Sequence, residues 1–246
     1  LGFKEDDEAI VPAFTWIATA NVIEHLGGKV VFCDIDLKTF NIDVNQIEKL
    51  ITSNTKAILP VHLFGLAAEM DSILEIAEKH NLWVVEDAAC GFGALYRGKH
   101  VGNFGHAGCF SFHPRKSITT GEGGAVLTND PDLYRQAFLL RKHGIDRRES
   151  MYNEKDRIGP WIYDMEILGF NYRITNFQAA LGISQLKKID LFKMRRRKIV
   201  NYYNEHFSKI EELILPYEDK SVNSNFHLYV TILTIIAVLI LSFYLI

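Results

Sequence analysis

KAILPVHLFGLAAEMDSILEIAEKHNLWVVEDAA, residues 56–89, sets two short apolar runs on either side of an amphipathic segment. The runs at 56–65 and 82–89 have the aliphatic and aromatic content of strands. Between them, apolar residues recur every three or four positions, which predicts a helix over 69–81. A strand, a helix and a second strand in this order form a right-handed crossover between parallel strands. The segment therefore predicts an α/β fold.

The same rhythm extends on both sides of this segment. KVVFCDID (29–36) and GCFSFH (108–113) are predicted strands, and DVNQIEKLIT (43–52) is a predicted helix. We expect a mostly parallel sheet with helices on both faces.

After Tyr172 the pattern becomes helical. Residues 175–207 predict one long helix or a broken pair, and Thr175 and Gln178 have the spacing of a capping box at its start. An apolar tail follows. The expected units are a large domain at 1–174, a helical segment at 175–227 and the tail at 228–246.

Composition excludes several classes of protein. The chain of 246 residues is long enough for a sizeable α/β core, and its net charge of −3 offers no basic face for nucleic acid. The three cysteines are far apart and lack a C-x-x-C pair, so we predict reduced thiols, no metal site and a cytoplasmic protein. No signal peptide is visible at the start.

The tail LYVTILTIIAVLILSFYLI (228–246) contains no charged residue. Its length is close to the roughly 20 residues of a membrane-spanning helix. Its many β-branched residues also suit buried strands, and periodicity does not decide between the two. Both interpretations stay open on the residues alone.

The carboxyl ends of the predicted strands carry the polar candidates, because ligands of open parallel sheets bind at that edge. These residues are Asp34, Asp36, His62, Glu86, Asp87, Ser111, His113 and Lys116. An acid at one strand end and a lysine just past another is the arrangement that pyridoxal phosphate chemistry requires. The lysine binds the cofactor aldehyde and the acid pairs with the pyridinium nitrogen. His62 and His113 are more simply explained as structural histidines.

Five ordered motifs make a family resemblance specific. VPAFTWIATANVI, ILPVHLFG, VVEDAACGFGALYRGKHVG, FSFHPRKSITTGEGGAVLTND and LGFNYRITNFQAALGISQL resemble, over about residues 8–228, the DegT/DnrJ/EryC1/StrS sugar aminotransferases. The resemblance implies the large domain of fold type I enzymes and pyridoxal 5'-phosphate as cofactor. It also implies transfer of an amino group, from glutamate, to a nucleotide-linked keto sugar.

The resemblance also assigns site residues. Lys116 matches the lysine that forms the Schiff base, and its retention speaks against the dehydratase branch of the family, which has histidine there. Asp87 matches the partner of the pyridine nitrogen. Trp16 matches an aromatic residue that stacks on the cofactor ring.

The resemblance also implies roles for three further residues. Ser111 matches a hydroxyl that binds the cofactor phosphate. Asn171 matches an asparagine that reaches the phosphate in the neighbouring subunit, which implies a homodimer with shared active sites. Cys90 stands beside the ring where the family more often has Gln or His, so the detail of that contact differs here.

Two family segments are not found in the sequence. One is an upstream turn at a helix N-terminus that binds the cofactor phosphate, and the other is a C-terminal domain that closes over the sugar. We therefore expect a truncated or frame-shifted tail rather than a membrane anchor, and membrane contact only through 228–246.

The rival function is an inactive or regulatory remnant, tethered to a membrane by the tail. A nicotinamide dehydrogenase is set aside because no G-x-G-x-x-G follows the first strand. Sugar choice is expected to depend on the missing domain and on loops such as 143–161.

Overall fold

A computed structural model of the chain describes residues 1–146 and 163–234. Its strands are β1 (Glu8–Pro12), β2 (Lys29–Cys33), β3 (Thr55–Ile58), β4 (Trp83–Asp87), β5 (Leu95–Tyr96), β6 (Lys99–His100), β7 (Ala107–Ser111), β8 (Gly124–Leu127), β9 (Leu213–Ile214), β10 (Val222–Asn223) and β11 (Ile232–Leu233). Its α-helices are α1 (Ala18–His25), α2 (Val44–Ile47), α3 (Met70–His80), α4 (Pro131–Arg141), α5 (Asn176–Leu186) and α6 (Ile189–Phe207).

The central sheet has six strands in the order β2-β1-β3-β4-β7-β8. Its pairs are parallel except the last, in which β8 runs antiparallel to β7. In the β4–β7 pair, Asp87 is in register with Cys109. The predicted α/β class with a mostly parallel sheet is confirmed.

Helices cover both faces of the sheet because side chains alternate along each strand. On one face, Ile10, Ile58 and Val84 join a large buried cluster to which α3 contributes Met70 and Ile73. On the other face, a smaller cluster joins Ala9 of β1, Ala57 of β3 and Leu59, just after β3, to Ile23 of α1. The prediction of helices on both faces is confirmed.

Several boundaries differ from the sequence expectation. The strand predicted at 56–65 ends at Ile58, because Pro60 has no N–H to donate to a ladder and Phe64 turns the chain at φ 55°. The helix predicted over 43–52 is shorter, since α2 gives way to a 3₁₀ turn at Glu48–Leu50. The sequence analysis assigned neither β1 nor β8 as a strand.

The long helical segment is a broken pair, α5 and α6. Thr175 and Gln178 form the predicted capping box at its start. After α6 the chain returns to the earlier part of the fold, since β10 pairs with β5, and the last two-residue strand, β11, pairs with β9.

Part of the expected tail, 235–246, lies outside the described residues, as does most of the 143–161 loop. Within 1–146 and 163–234, no helix is both long and apolar enough to cross a bilayer. The three-part division of the chain stays a prediction.

Candidate active site

The site lies at the carboxyl edge of the parallel strands. Strands β1, β3, β4 and β7 all end there, so the loops after them meet at one side of the sheet. These loops and strand ends carry Trp16, His62, Asp87, Ser111 and Lys116. The topology therefore collects most of the predicted site residues at one edge.

Asp87, the last residue of β4, is held by two donors. Its Oδ2 accepts a hydrogen bond from the Thr19 hydroxyl at 2.7 Å, and its Oδ1 accepts one from the Ala89 amide at 3.0 Å. Thr19 is buried on α1, and its hydroxyl lies 3.2 Å from that of Thr15. These bonds fix the orientation of a half-buried carboxylate and leave it further lone pairs.

The sequence analysis did not single out Thr19. The available signal was its position, on the first turn of the helix that follows β1 and therefore at the same edge as Asp87.

Lys116 lies in the loop after β7 and reaches the loop after β4. Its Nζ donates to Cys90 Sγ at 3.3 Å, and its backbone N–H donates to the His113 carbonyl at 2.9 Å. Burial raises the pKa of the Cys90 thiol, and the nearby Lys116 charge partly offsets that rise. Cys90 lies three residues after Asp87, so this contact joins the lysine to the loop of the acid.

Lys116 shares its surroundings with His227 and two arginines. Burial lowers the pKa of His227 to about 4, with added contributions from the positive charges of Lys116, Arg196 and Arg115. Within the described residues, His227 Nδ1 and Arg196 Nη1 are buried without a hydrogen-bond partner. Buried polar atoms normally have partners, so this region suits an anionic group. Neither residue was among those predicted from the sequence.

The remaining predicted residues, Ser111, Trp16 and Asn171, lie away from the Lys116–Cys90 contact. Ser111 pairs with Gly124 on β8, and its Oγ accepts from the His113 amide at 3.3 Å. Trp16 is 71% exposed, and Asn171 is exposed on a segment that bridges to Lys142. In the described part of the chain, no hydrogen bond or ion pair joins Trp16, Ser111 or Asn171 to Asp87, Cys90 or Lys116.

His62 and Glu86 form a buried structural pair beneath the site. Both side chains are fully buried, with His62 Nε2 2.9 Å from Glu86 Oε2. The Ala68 amide donates to His62 Nδ1, which leaves the proton on Nε2 to be donated to Glu86. The Glu86 carboxylate also accepts three backbone N–H groups, at 2.6, 2.6 and 2.7 Å, from Gly102, Phe104 and Gly105.

The pKa of Glu86 reflects this setting. Burial opposes its charged form, but the hydrogen bond from His62, together with those from the backbone amides, lowers the pKa overall. The interpretation of His62 as a structural histidine is confirmed. Across residues 1–146 and 163–234, no group of three or more His, Cys, Asp or Glu is placed to hold a metal ion.

Comparison with known proteins gives a consistent result. A model of the DegT/DnrJ/EryC1/StrS aminotransferase family matches residues 1–237. The chain is 45% identical over 210 residues to GDP-perosamine synthase of Caulobacter vibrioides, which is 85% of this chain and 53% of that protein.

Solved structures match as well. PseC of Helicobacter pylori, an aminotransferase involved in pseudoaminic acid biosynthesis, has a TM-score of 0.84 and 33% identity over 93% of this chain and 59% of its own. Spr1654 of Streptococcus pneumoniae, in its PMP form, has a TM-score of 0.86 and 30% identity over 94% of this chain and 62% of its own. The chain thus spans between 53% and 62% of the length of these proteins.

Proposed function

Because this chain belongs to the DegT/DnrJ/EryC1/StrS aminotransferase family, we propose that it carries the catalytic lysine of a pyridoxal 5'-phosphate-dependent sugar aminotransferase. The reaction transfers an amino group from glutamate to a nucleotide-linked keto sugar. One observation carries the proposal. Lys116 and Asp87 come from the ends of adjacent parallel strands, and Lys116 contacts Cys90 in the loop that begins at Asp87.

The residues present fit the cofactor. The Lys116 amine contacts a thiol, and no described salt bridge includes it, so it is not committed to an acid. Asp87 is oriented by Thr19 and retains lone pairs for the pyridine nitrogen. The PMP and PLP forms of Spr1654 support the same cofactor for this chain.

When bound, pyridoxal phosphate supplies an electron sink for the negative charge that develops at the carbon bearing the transferred nitrogen. The Asp87 carboxylate, fixed by Thr19 and Ala89, would pair with the pyridine nitrogen and keep a proton on it. With the cofactor bound, Lys116 as a free amine would take the proton from the donor α-carbon and deliver it to the cofactor carbon C4′. On the keto sugar the transfer would run the other way, with Lys116 moving a proton from C4′ to the sugar carbon that receives the nitrogen, while Asp87 keeps the same role.

The other carried-over residues bind rather than react. Trp16 offers an exposed indole for stacking on the ring, and Cys90 lies beside the ring. The hydroxyl of Ser111 accepts from His113, which leaves its own proton free to donate to the phosphate. Asn171 is exposed, so its side chain is available to bind the phosphate in a second subunit.

Charge near Lys116 supports an anionic substrate. Arg115 and Arg196, like Lys116, are close enough to His227 for their positive charges to lower its pKa, and both a nucleotide-linked sugar and glutamate carry negative groups. These basic groups therefore support the proposed pair of substrates.

An exposed apolar segment supports a homodimer with shared sites. It runs from Leu168, which is 83% exposed, to Phe177, which is 91% exposed, and so includes Asn171. Free thiols at all three cysteines support a cytoplasmic location.

A direct test uses the purified chain and added pyridoxal phosphate. A visible absorbance band from cofactor joined to Lys116 is expected, with bleaching by glutamate. Lys116→Ala should lose the band, while Lys188→Ala, a control on the link between α5 and α6, should keep it. A wild-type protein without the band would refute cofactor binding by this chain and favour the inactive remnant.

A further inference from the structure

A single buried amide joins the two loops that meet at Lys116. Asn225 lies in the strap, residues 221–228, and is 2% exposed. Its Nδ2 donates to the carbonyls of Cys90, at 2.7 Å, and Phe92, at 2.9 Å, and lies 3.2 Å from Ser117 Oγ. These partners are more than a hundred residues away in sequence. One side chain thus ties the strap to the Cys90 loop and to the lysine loop.

Glycine at position 65 makes room for this amide. Gly65 has φ +94°, and a Cβ there would lie 1.9 Å from Asn225 Oδ1. The Gly65 carbonyl accepts hydrogen bonds from the backbone N–H of Asn225, at 3.2 Å, and from the Ser224 hydroxyl, at 3.0 Å. Asn225 Oδ1 therefore lies against the glycine, and its NH₂ group is directed toward the catalytic loops.

Helix α6 fixes the strap from the other side. Arg197 Nη2 donates to the Ser224 carbonyl at 3.1 Å, and its guanidinium lies 4.6 Å from the centre of the Phe226 ring. Arg197 also donates two hydrogen bonds to Glu218, which lies three residues before the strap. With both flanking residues held, the position of Asn225 is set by α6 as well as by the sheet.

We propose that Asn225 is a positioning residue for Lys116. Ser117 is the next residue after the lysine, and the Cys90 carbonyl belongs to the residue whose thiol accepts from Lys116 Nζ. The NH₂ group thus holds the Cys90 end of the Lys116–Cys90 contact through its two short bonds, and it reaches the Lys116 end through a longer contact to Ser117 that shares one of the two hydrogens. The inference rests on the proposed function, since it assigns Asn225 a role in placing the amine for the cofactor aldehyde.

The test compares Asn225→Ala and Asn225→Asp with Asn223→Ala in the full chain. Asn223 is a matched control, because it is exposed on the same strap and bonds Arg197 rather than the catalytic loops. Asn225→Asp keeps the shape but turns an oxygen toward two carbonyl oxygens, so it should be the more damaging change. Amide hydrogen exchange without cofactor reports the loops at 88–93 and 112–120. With cofactor added, two quantities report the placement of Lys116. They are the rate at which the visible absorbance band forms and the pH at which the band is half-formed.

Both Asn225 variants should exchange faster in these two loops and capture cofactor about ten-fold more slowly, with a shifted pH midpoint. Asn223→Ala should match the wild type in every readout. If the Asn225 variants lose only thermal stability, with unchanged loop exchange, capture rate and pH midpoint, the amide is a structural tie and the inference is wrong.

A wild-type protein that shows no band removes the proposed function, and the inference falls with it. A normal wild-type band with unaffected Asn225 variants removes the inference alone. The two failures are therefore distinguishable.

Discussion

Replacing Glu86 with Gln tests how the end of β4 is held beneath the site. The Glu86 carboxylate accepts four hydrogen bonds, three from backbone amides and one from His62. A glutamine can keep the oxygen that faces Phe104 and Gly105. Its NH₂ group then faces the Gly102 amide and His62 Nε2–H, both of which are donors.

The histidine cannot relieve this conflict. Moving the His62 proton from Nε2 to Nδ1 would set it against the Ala68 amide, which donates to Nδ1. Two charge-assisted bonds are lost, and two buried donors are left without acceptors. Each bond to a charged group contributes about 1.5–3 kcal/mol, so Glu86→Gln should lower the free energy of unfolding by about 3–5 kcal/mol.

Urea unfolding at neutral pH measures the change. Glu75→Gln is the matched control, because Glu75 is exposed on α3, and it should alter the free energy of unfolding by no more than about 0.5 kcal/mol. A loss below about 1 kcal/mol for Glu86→Gln would show that the buried pair does not hold the strand end.

Four further substitutions address the site and the fold. Asp87→Asn should slow the glutamate half-reaction on the order of 10²-fold, and a rate equal to that of the wild type would contradict the role of the acid. Thr19→Val should weaken cofactor binding, as measured by absorbance titration. Because the pKa of His227 is lowered to about 4 from 6.5, the unfolded chain binds more protons between these values, so the free energy of unfolding should fall as pH falls through that window. The loss should be about 1–2 kcal/mol after allowance for partial exposure, and His227→Gln should remove that dependence in urea titrations at several pH values. Thr175→Ala, which breaks the capping box, should cost about 1 kcal/mol in the same assay, and a neutral result would show that the box contributes nothing to stability.

The sheet and its crossovers were predictable from local patterns. Residues 56–89 carry a complete strand, helix and strand, and the capping box at Thr175 is a local signal that the structure confirms. The end of the strand at Ile58 was harder to predict, because VHLFG continues the apolar run although Phe64 adopts positive φ. A run of apolar residues does not indicate whether the backbone continues as a strand or turns.

The site was only partly predictable, because its remaining parts depend on distant contacts. Asp87 and Lys116 follow from strand ends and from family motifs. Thr19, on α1, and Asn225, in the strap, act through contacts that span 68 residues and more than a hundred residues, respectively. No periodicity or spacing marks such partners, since the fold alone brings them together.

The central claim is that Lys116 is the residue that binds the cofactor aldehyde. Borohydride reduction of the protein with a stoichiometric amount of pyridoxal phosphate, followed by peptide mass mapping, identifies the modified lysine. The account predicts the pyridoxyl group on Lys116, with little on exposed lysines such as Lys187. A label spread over surface lysines, or concentrated on another lysine, would contradict it.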